Sequence, residues 1–215
     1  MGKYKRTIKF PVRLYYGIAI NSKYHFFVGN VKAEIAKHTK HIISEFDKYG
    51  YFNNSFGEYT DIHFNHPLTT LRANRAILAI DSLDNIYAAF PAQPIIRKYD
   101  KNKKLIWETD LRTQLKNVEN KFNKILDEYK NRDPHGISIV IHNISVSDYV
   151  YLVTIFKPYE FLALDKETGE VKFNIVIENM PNDIYPTKIA SDGKDRLYFV
   201  SFLSNKIGFC IRKSK

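Results

Sequence analysis

Short apolar segments alternate with polar turns along this chain of 215 residues. The clearest unit is the apolar segment 77–80, a turn over 81–85 and a second apolar segment, 86–89, that carries Tyr87. Similar units begin at Ile18, Ile139 and Lys188. The turns contain Asp, Asn, Ser and Gly, which accommodate tight reversals, so each unit predicts an antiparallel β-hairpin.

An Asp-Lys pair follows three of the four hairpins, at 47–48, 100–101 and 165–166. An apolar segment precedes each pair, and a turn and another apolar segment follow it. We expect the Asp side chain to cap its own turn through an Asx hydrogen bond. Each unit then predicts four short antiparallel strands, running from an inner to an outer strand.

Four-stranded units that recur about every 45–65 residues are typical of β-propeller blades. The chain resembles NHL-like and related six-bladed β-propellers of bacteria. The resemblance is carried by Ala-Ile-Asp-Ser…Asn-Ile-Tyr at 79–87 and by Phe-Asp-Lys-Tyr-Gly-Tyr-Phe…Phe-Gly at 46–57. Pro11, Pro67 and Pro186 each precede a predicted inner strand, as in the corresponding loops of that family. The resemblance implies an all-β propeller fold and no particular activity; a β-sandwich or an irregular antiparallel protein is the alternative.

The predicted blades are about 14–60, 75–111, 136–178 and 186–213, within one domain spanning 1–215. Four blades are fewer than the six usual in that family, and the last one lacks an outer strand. Residues 6–10 could supply this strand beside 207–211 and close the ring, which would remove an exposed edge. The competing interpretation is part of a larger propeller whose open edges are covered by a partner chain or by self-association.

Residues 111–131 depart from the strand pattern. Apolar residues recur there at steps of three and four, the spacing of one helix face: Leu111, Leu115, Val118, Phe122, Ile125 and Tyr129. Asp110 is the expected N-cap. We expect this inserted helix to pack on the propeller; a docking helix or a lid over the channel mouth is the alternative.

Composition narrows the class of protein. Lys and Arg number 33 against 23 Asp and Glu, a net charge of +10, and 14% of the residues are aromatic. That aromatic content excludes a disordered basic tail. Cys210 is the single cysteine, so a disulfide framework is excluded. We expect no membrane-spanning helix.

The N-terminus lacks a secretory signal, which predicts a cytoplasmic protein, or a periplasmic or exported one if the native N-terminus is missing.

Candidate ligand-binding residues lie in the loops that lead into the inner strands and on one inner strand: Arg13, Tyr15, Tyr16, Arg72, Arg75, His135, His142 and Tyr185. Arginine and aromatic side chains could stack on bases or sugars. Lysines spread over every blade favour a solvated surface, so nucleic acid is a less favoured partner. His135 and His142 could instead serve a general-base mechanism at the channel mouth.

Possible metal sites are the pairs His38/His41 and His63/His66 and the turns 81–85 and 192–195. Residues three apart on a strand point to opposite faces, and neither turn has EF-hand spacing. We therefore predict solvated loop histidines, no metal and no cofactor. The predicted function is a non-catalytic binding module or scaffold for a protein, peptide or small ligand; a hydrolase or lyase near His135 and His142 is the alternative.

Overall fold

The computed structural model describes residues 7, 18–29, 41–61, 67–130, 140–154, 160–176, 186–193, 196–201 and 206–211. These residues form four antiparallel sheets in chain order. The first contains β1 (Ile18–Ile20), β2 (Phe26–Gly29), β3 (His41–Phe46) and β4 (Phe52–Glu58). The second contains β5 (Ile77–Ile80), β6 (Ile86–Ala89), β7 (Ile95–Tyr99) and β8 (Leu105–Asp110). The third contains β9 (Ile141–Val146), β10 (Val150–Thr154), β11 (Glu160–Leu164) and β12 (Val171–Val176). The fourth contains β13 (Pro186–Ser191), β14 (Arg196–Ser201) and β15 (Lys206–Ile211).

The sheets follow one another around a common inner side. The first strands of successive sheets contact each other, β1 with β5, β5 with β9 and β9 with β13. The second strand of each sheet also contacts the first strand of the next, in the pairs β2–β5, β6–β9 and β10–β13. This arrangement confirms the predicted all-β architecture of four successive blades, numbered 1 to 4 from here on. Only Thr7 of residues 6–10 is described, so the predicted ring closure by this segment lies outside the described residues.

Turn residues cap the strands as predicted. The Asp47 Oδ1 atom accepts hydrogen bonds from the amides of Tyr49 and Tyr51, at 2.8 and 2.9 Å. Asp100 and Asp165 accept equivalent bonds in blades 2 and 3. Each carboxylate replaces water at amides that the reversal leaves without a strand partner. The Asx turns therefore fix the ends of the third and fourth strands of these blades.

Three local predictions need correction. Pro67 begins a helix, α1 (Pro67–Ala73), and does not lie in a loop; proline is favoured at a first helical position because its missing N–H would have no partner there. Pro186 is the first residue of β13 and does not precede it. The third inner strand, β9, begins at Ile141 and not at Ile139.

The inserted segment packs on the propeller, as predicted, but as two helices. Asp110 caps α2 (Leu111–Gln114) by accepting a hydrogen bond from the Arg112 amide. Leu115 is extended and separates α2 from α3 (Lys116–Lys130). The Gln114 Oε1 atom accepts a 2.7 Å bond from the Val171 amide of blade 3. Leu111, Val118 and Phe122 are buried in the apolar cluster between blades 2 and 3, so the insertion completes that junction.

A buried polar network holds the connection from blade 1 to blade 2. The Thr60 amide donates to Asn74 Oδ1 at 2.8 Å, and the Thr60 hydroxyl donates to Gln93 Oε1 at 2.7 Å. The Asn74 and Gln93 side chains donate in turn to backbone carbonyls at the end of α1. The side-chain oxygen of each amide accepts a hydrogen bond and its nitrogen donates one. The network therefore orders the link and pairs these buried polar groups.

Apolar clusters fill the space between successive blades. Each sheet has a forward face, which packs on the following blade, and a backward face, which packs on the preceding one. Forward residues Phe27 and Ile43 of blade 1 meet backward residues of blade 2 such as Ile86. Tyr87 and Ile96 do the same toward blade 3, and Tyr151 and Phe161 toward blade 4. The core is thus a series of inter-blade layers rather than one central cluster.

Two of these layers contain a charge two residues before the turn aspartate. Glu45 on β3 and Lys98 on β7 both lie on forward faces and are buried. Glu45 pairs with Lys103 from the outer turn of blade 2 and with His25 Nδ1 at 2.6 Å. The Lys98 Nζ atom contacts Glu167 Oε2 at 2.9 Å and the Lys166 carbonyl at 2.8 Å, both from the outer turn of blade 3. The two junctions therefore use ion pairs of opposite polarity.

We predict that Glu45 makes stability depend on acid. Burial alone raises the pKa of Glu45, but hydrogen bonds and attraction from Lys103 and His25 outweigh it and hold the pKa below its ordinary value. A carboxylate with a lowered pKa stabilises the fold above its ordinary pKa of about 4.3 and loses that contribution as pH falls through the lowered value. Urea unfolding should therefore show a difference between wild type and Glu45→Gln that shrinks as the pH falls below about 4.3, over the range from there down to the lowered pKa. A difference that stays constant over this range would contradict the assignment.

Candidate functional site

The predicted ligand-binding residues are only partly described. Arg13, Tyr15, Tyr16, His135 and Tyr185 lie outside the described residues. Arg72 occupies the last turn of α1 and Arg75 follows it, whereas His142 lies on β9 in the next blade. All three are half-buried. A shared binding site for the eight residues stays a prediction.

His142 has an unusual environment for an inner-strand side chain. Burial and the ammonium of Lys188 both lower the pKa of its imidazole, which keeps the ring neutral at neutral pH. A general-base histidine is normally oriented by a carboxylate or carbonyl on its second nitrogen. The charge that acts on His142 is a cation. His142 could accept a proton, but its described surroundings do not supply the orienting group.

The metal-site candidates resolve differently. His41 is the first residue of β3 and not a loop residue. Its Nδ1 atom is buried without a hydrogen-bond partner among the described residues. His38, His63 and His66 lie outside the described residues. Both carboxylate oxygens of Asp81 already accept bonds from the turn and from the Tyr87 hydroxyl. Within the described ranges, no group of three or more His, Cys, Asp or Glu side chains could hold a metal ion.

Exposed tyrosines gather at one end of blade 1. Tyr24 lies in the β1–β2 turn, and Tyr49 and Tyr51 lie in the β3–β4 turn; their exposures are 71%, 56% and 72%. Both turns are at the same end of the sheet because its four strands are consecutive and antiparallel. His25, next to Tyr24, lies close enough to the other turn for a cation there to lower the pKa of Asp47, after the hydrogen bonds that its carboxylate accepts from the turn amides. We call Tyr24, Tyr49 and Tyr51 the tyrosine surface.

Hydrogen bonds fix the backbone beneath the tyrosine surface. Asn21 Oδ1 accepts from the amides of Lys23 and His25. The Ser22 amide and hydroxyl donate to the two Asp84 oxygens at 2.8 and 2.6 Å, which ties this turn to the equivalent turn of blade 2 and lowers the pKa of Asp84. Lys48 places its ammonium 5.1 Å from the centre of the Tyr49 ring. Asp47 and Asp84 stay ionised, but their carboxylates accept hydrogen bonds from the turns, whereas the Lys23 and Lys48 side chains are exposed.

Tyr24 adopts a strained backbone conformation. Its φ is 62°, whereas Asp84, at the equivalent position of blade 2, has φ 64°. Left-handed conformations are tolerated by Asp, Asn and Gly but are unfavourable for a bulky side chain. Tyr24 therefore lowers the stability of the turn that presents it.

Sequence reasoning missed the tyrosine surface, although the repeat contains a signal for it. Blade 2 has Asn102 and Lys104 where blade 1 has Tyr49 and Tyr51, and Asp84 where blade 1 has Tyr24. Residues in these turns do not contribute to the core, so packing does not explain aromatic side chains there. A comparison of the turns position by position would have found all three.

Solved structures settle the architecture. No protein-family model and no curated protein matches the chain. The β-propeller domain of Cps50 (Swd1) from Myceliophteria thermophila aligns with a TM-score of 0.52 at 11% identity, over 89% of this chain and 51% of that one. The fold is a β-propeller. The WD40 propeller of Doa1 aligns with the same TM-score at 10% identity, over 90% of this chain and 49% of that one. The RRP9 WD40 repeats also give 0.52, at 5% identity over 86% and 44%.

The chain spans about half the length of these propellers. At such identities the likeness concerns the fold alone, and it supports neither the NHL-like family nor an activity. No helix among the described residues is long and apolar enough to cross a membrane.

Proposed function

We propose that this propeller is a non-catalytic binding module that recognises a protein segment through the tyrosine surface. The observation that carries the proposal is Tyr24, a large exposed side chain held at a strained left-handed position. Backbone strain concentrates at functional sites, where the surrounding structure compensates for it. Tyrosine offers a large contact area with few rotatable bonds and a hydroxyl for hydrogen bonding, which suits protein interfaces.

The exposed ammonium groups of the surface favour an acidic partner. Lys23 and Lys48 are exposed beside the tyrosines, while the ionised carboxylates of Asp47 and Asp84 are engaged by hydrogen-bond donors of the fold. The Lys48 ammonium lies 5.1 Å from the centre of the Tyr49 ring, so a carboxylate of a bound protein segment can pair with it while the segment packs on the tyrosines.

A random peptide library displayed on phage tests this proposal. Selection on the wild-type protein should enrich acidic peptides, and the binding of a synthetic copy should weaken at least about 10-fold in Tyr51→Ser, as for a well-placed interface tyrosine. Leu83→Ser, in the neighbouring turn and equally exposed, is the matched control and should bind as wild type. Enriched peptides that bind Tyr51→Ser as tightly as wild type would overturn the proposal.

We predict that Tyr24→Asn separates stability from binding. Asparagine tolerates the left-handed conformation, so the free energy of unfolding should rise by about 1 kcal/mol. The same change removes the aromatic ring and should weaken binding of the selected peptide. Urea unfolding and isothermal titration calorimetry measure the two effects. Loss of stability in Tyr24→Asn would show that the ring serves packing and not recognition.

We also propose that the blades are of the NHL-like type. The Asp81–Tyr87 hydrogen bond of 3.0 Å within the Ala-Ile-Asp-Ser…Asn-Ile-Tyr hairpin supports this, and Tyr151 and Asp148 repeat the pairing in blade 3. A crystal structure whose four blades superpose better on NHL-repeat propellers than on WD40 propellers would support the assignment. The reverse order would contradict it.

A further inference from the structure

We propose that a second copy of this chain packs its blade 1 against blade 4, and that two copies close one ring through two such contacts. The ring would contain eight sheets, four from each copy, which is within the usual range for propellers. The proposal is independent of the tyrosine surface. It rests on a comparison of equivalent positions in the repeat.

The forward face of blade 4 is exposed where the other forward faces are buried. Ile207 on β15 pairs with Val200, as Ile43, Ile96 and Phe161 pair with the equivalent residues of blades 1 to 3. Those three side chains are fully buried between blades, whereas Ile207 is 75% exposed. The repeat is apolar at this position in all four blades, and among the described residues only Ile207 has no blade that covers it.

Adjacent residues of blade 4 follow the same pattern. Val200 corresponds to Ala89 and Val153, which are buried in the junctions of blades 2 and 3, yet Val200 is exposed. Phe209 pairs with Tyr198 and is 61% exposed. It occupies the position at which Glu45 and Lys98 form their inter-blade ion pairs. The forward face of blade 4 is thus apolar at Val200, Ile207 and Phe209 and has no charge at the ion-pair position.

The backward face of blade 1 is its complement. Ile18 and Ile20 occupy the β1 positions that correspond to Leu78 and Ile80 on β5, because both strands end one residue before an Asx turn. Leu78 and Ile80 pack on the cluster between blades 1 and 2. Ile18 and Ile20 are exposed, and so is Phe52 on the outer strand. Val28 and Phe46 on the same face are buried within the chain, so β1 and Phe52 form its exposed part.

The contact pattern of the repeat specifies how the two faces meet. Each second strand packs on the first strand of the following blade, from β2–β5 to β10–β13. Among the described elements, none packs on β14 as a following blade does or on β1 as a preceding blade does. Within one chain, β13 and β1 do not pack as the other neighbouring inner strands do. A blade 1 from a second copy offers β14 the kind of face that every earlier junction uses.

The size of related folds agrees with this arrangement. This chain covers about half of each of the three solved propellers named above, so two copies would have about the length of one such ring. A contact between two different faces closes a ring only when repeated around a symmetry axis. Two copies related by a twofold axis make the blade 4–blade 1 contact twice and bury both exposed faces.

The mass of the full chain in solution tests the proposal. Light scattering after size exclusion should give twice the chain mass of 25.2 kDa. Ile207→Asp on blade 4 and Ile20→Asp on blade 1 should each raise the dimer dissociation constant at least about 30-fold, as for a central interface residue. Ile106→Asp is the matched control, because Ile106 is an exposed isoleucine on the outer strand of blade 2, and it should leave the dimer intact.

Three results would overturn the proposal: a monomeric wild type at all concentrations, a dimer insensitive to both Ile207→Asp and Ile20→Asp, or a polymer larger than two copies. Circular dichroism of each variant guards against unfolding, and a variant that unfolds is replaced by Ile207→Ser or Ile20→Ser. The tyrosine variants should keep the dimer mass, which separates this contact from peptide binding.

Discussion

Lys98→Glu should lower the free energy of unfolding by about 3–5 kcal/mol, the range for leaving an uncompensated charge buried in the fold. The Lys98 side chain is only 4% exposed, and its ammonium donates to the Lys166 carbonyl and to Glu167. The substitution places a buried carboxylate against that carbonyl, and the solvated Glu167 carboxylate nearby cannot compensate its charge. Because both partners belong to blade 3, the junction of blades 2 and 3 should weaken.

Urea unfolding of the purified full chain measures the effect, with Lys98→Met as the matched control. Methionine retains the apolar length of the side chain, Glu167 remains solvated, and the Lys166 carbonyl keeps its bond from Trp107 Nε1. We therefore expect Lys98→Met to change stability by less than about 1.5 kcal/mol. Adding Glu167→Lys to Lys98→Glu should restore part of the loss. A Lys98→Glu variant as stable as Lys98→Met would show that the pair does not hold the junction.

Gly29→Ala should destabilise the fold by about 3 kcal/mol, the upper end of typical overpacking costs. An added Cβ at Gly29 would lie 1.8 Å from the Ala76 carbonyl oxygen and 2.7 Å from its carbon. Both atoms belong to the backbone that leads into β5, so they cannot rotate away as a side chain would. The clash falls at the junction of blades 1 and 2 and requires the two blades to separate.

Gly193→Ala is the comparison for Gly29→Ala. Its nearest neighbour is Ser147 Cβ at 3.9 Å, but its φ of +76° makes alanine strained without a clash. We expect a loss of about 1–2 kcal/mol from the conformation alone. Thermal unfolding of both variants should therefore rank Gly29→Ala as the less stable. The opposite order would mean that the blades yield at Gly29 and that their packing there is loose.

The hairpins and Asx turns could be predicted because their causes are local. Asp47 caps a turn formed by the five residues around it, and Tyr87 lies one residue into its strand in the repeat; both features depend on neighbours in sequence. Four such units predict four blades without knowledge of any contact between them. The packing of Leu111, Val118 and Phe122 on the blades was predictable for the same reason, from helix periodicity.

Other features depend on contacts between distant residues. The break at Leu115 coincides with the bond between Gln114 and Val171, residues far apart in the chain. The Lys98–Glu167 pair requires the register of two different blades. The helix that begins at Pro67 ends against Gln93 through the Ala73 carbonyl. The pattern of hydrophobic residues along the sequence gives no information about these long-range contacts.

The candidate site shows the same division. The binding residues predicted from the sequence were mainly Arg, Tyr and His near the inner strands. The fold distributes the described ones over different elements, such as Arg72 on α1 and His142 on β9. The tyrosine surface was overlooked because its three members belong to two turns that are separate in the sequence. Only the antiparallel order of blade 1 places the turns containing Tyr24 and Tyr51 at one end.

Hydrogen–deuterium exchange of the protein with and without a selected acidic peptide tests the central claim most directly. Binding at the tyrosine surface predicts slower exchange in the turns 21–25 and 47–51. Exchange in α1 and in β9, which contain Arg72 and His142, should not change. Protection of those two elements with unchanged exchange in both turns would contradict recognition through the tyrosine surface.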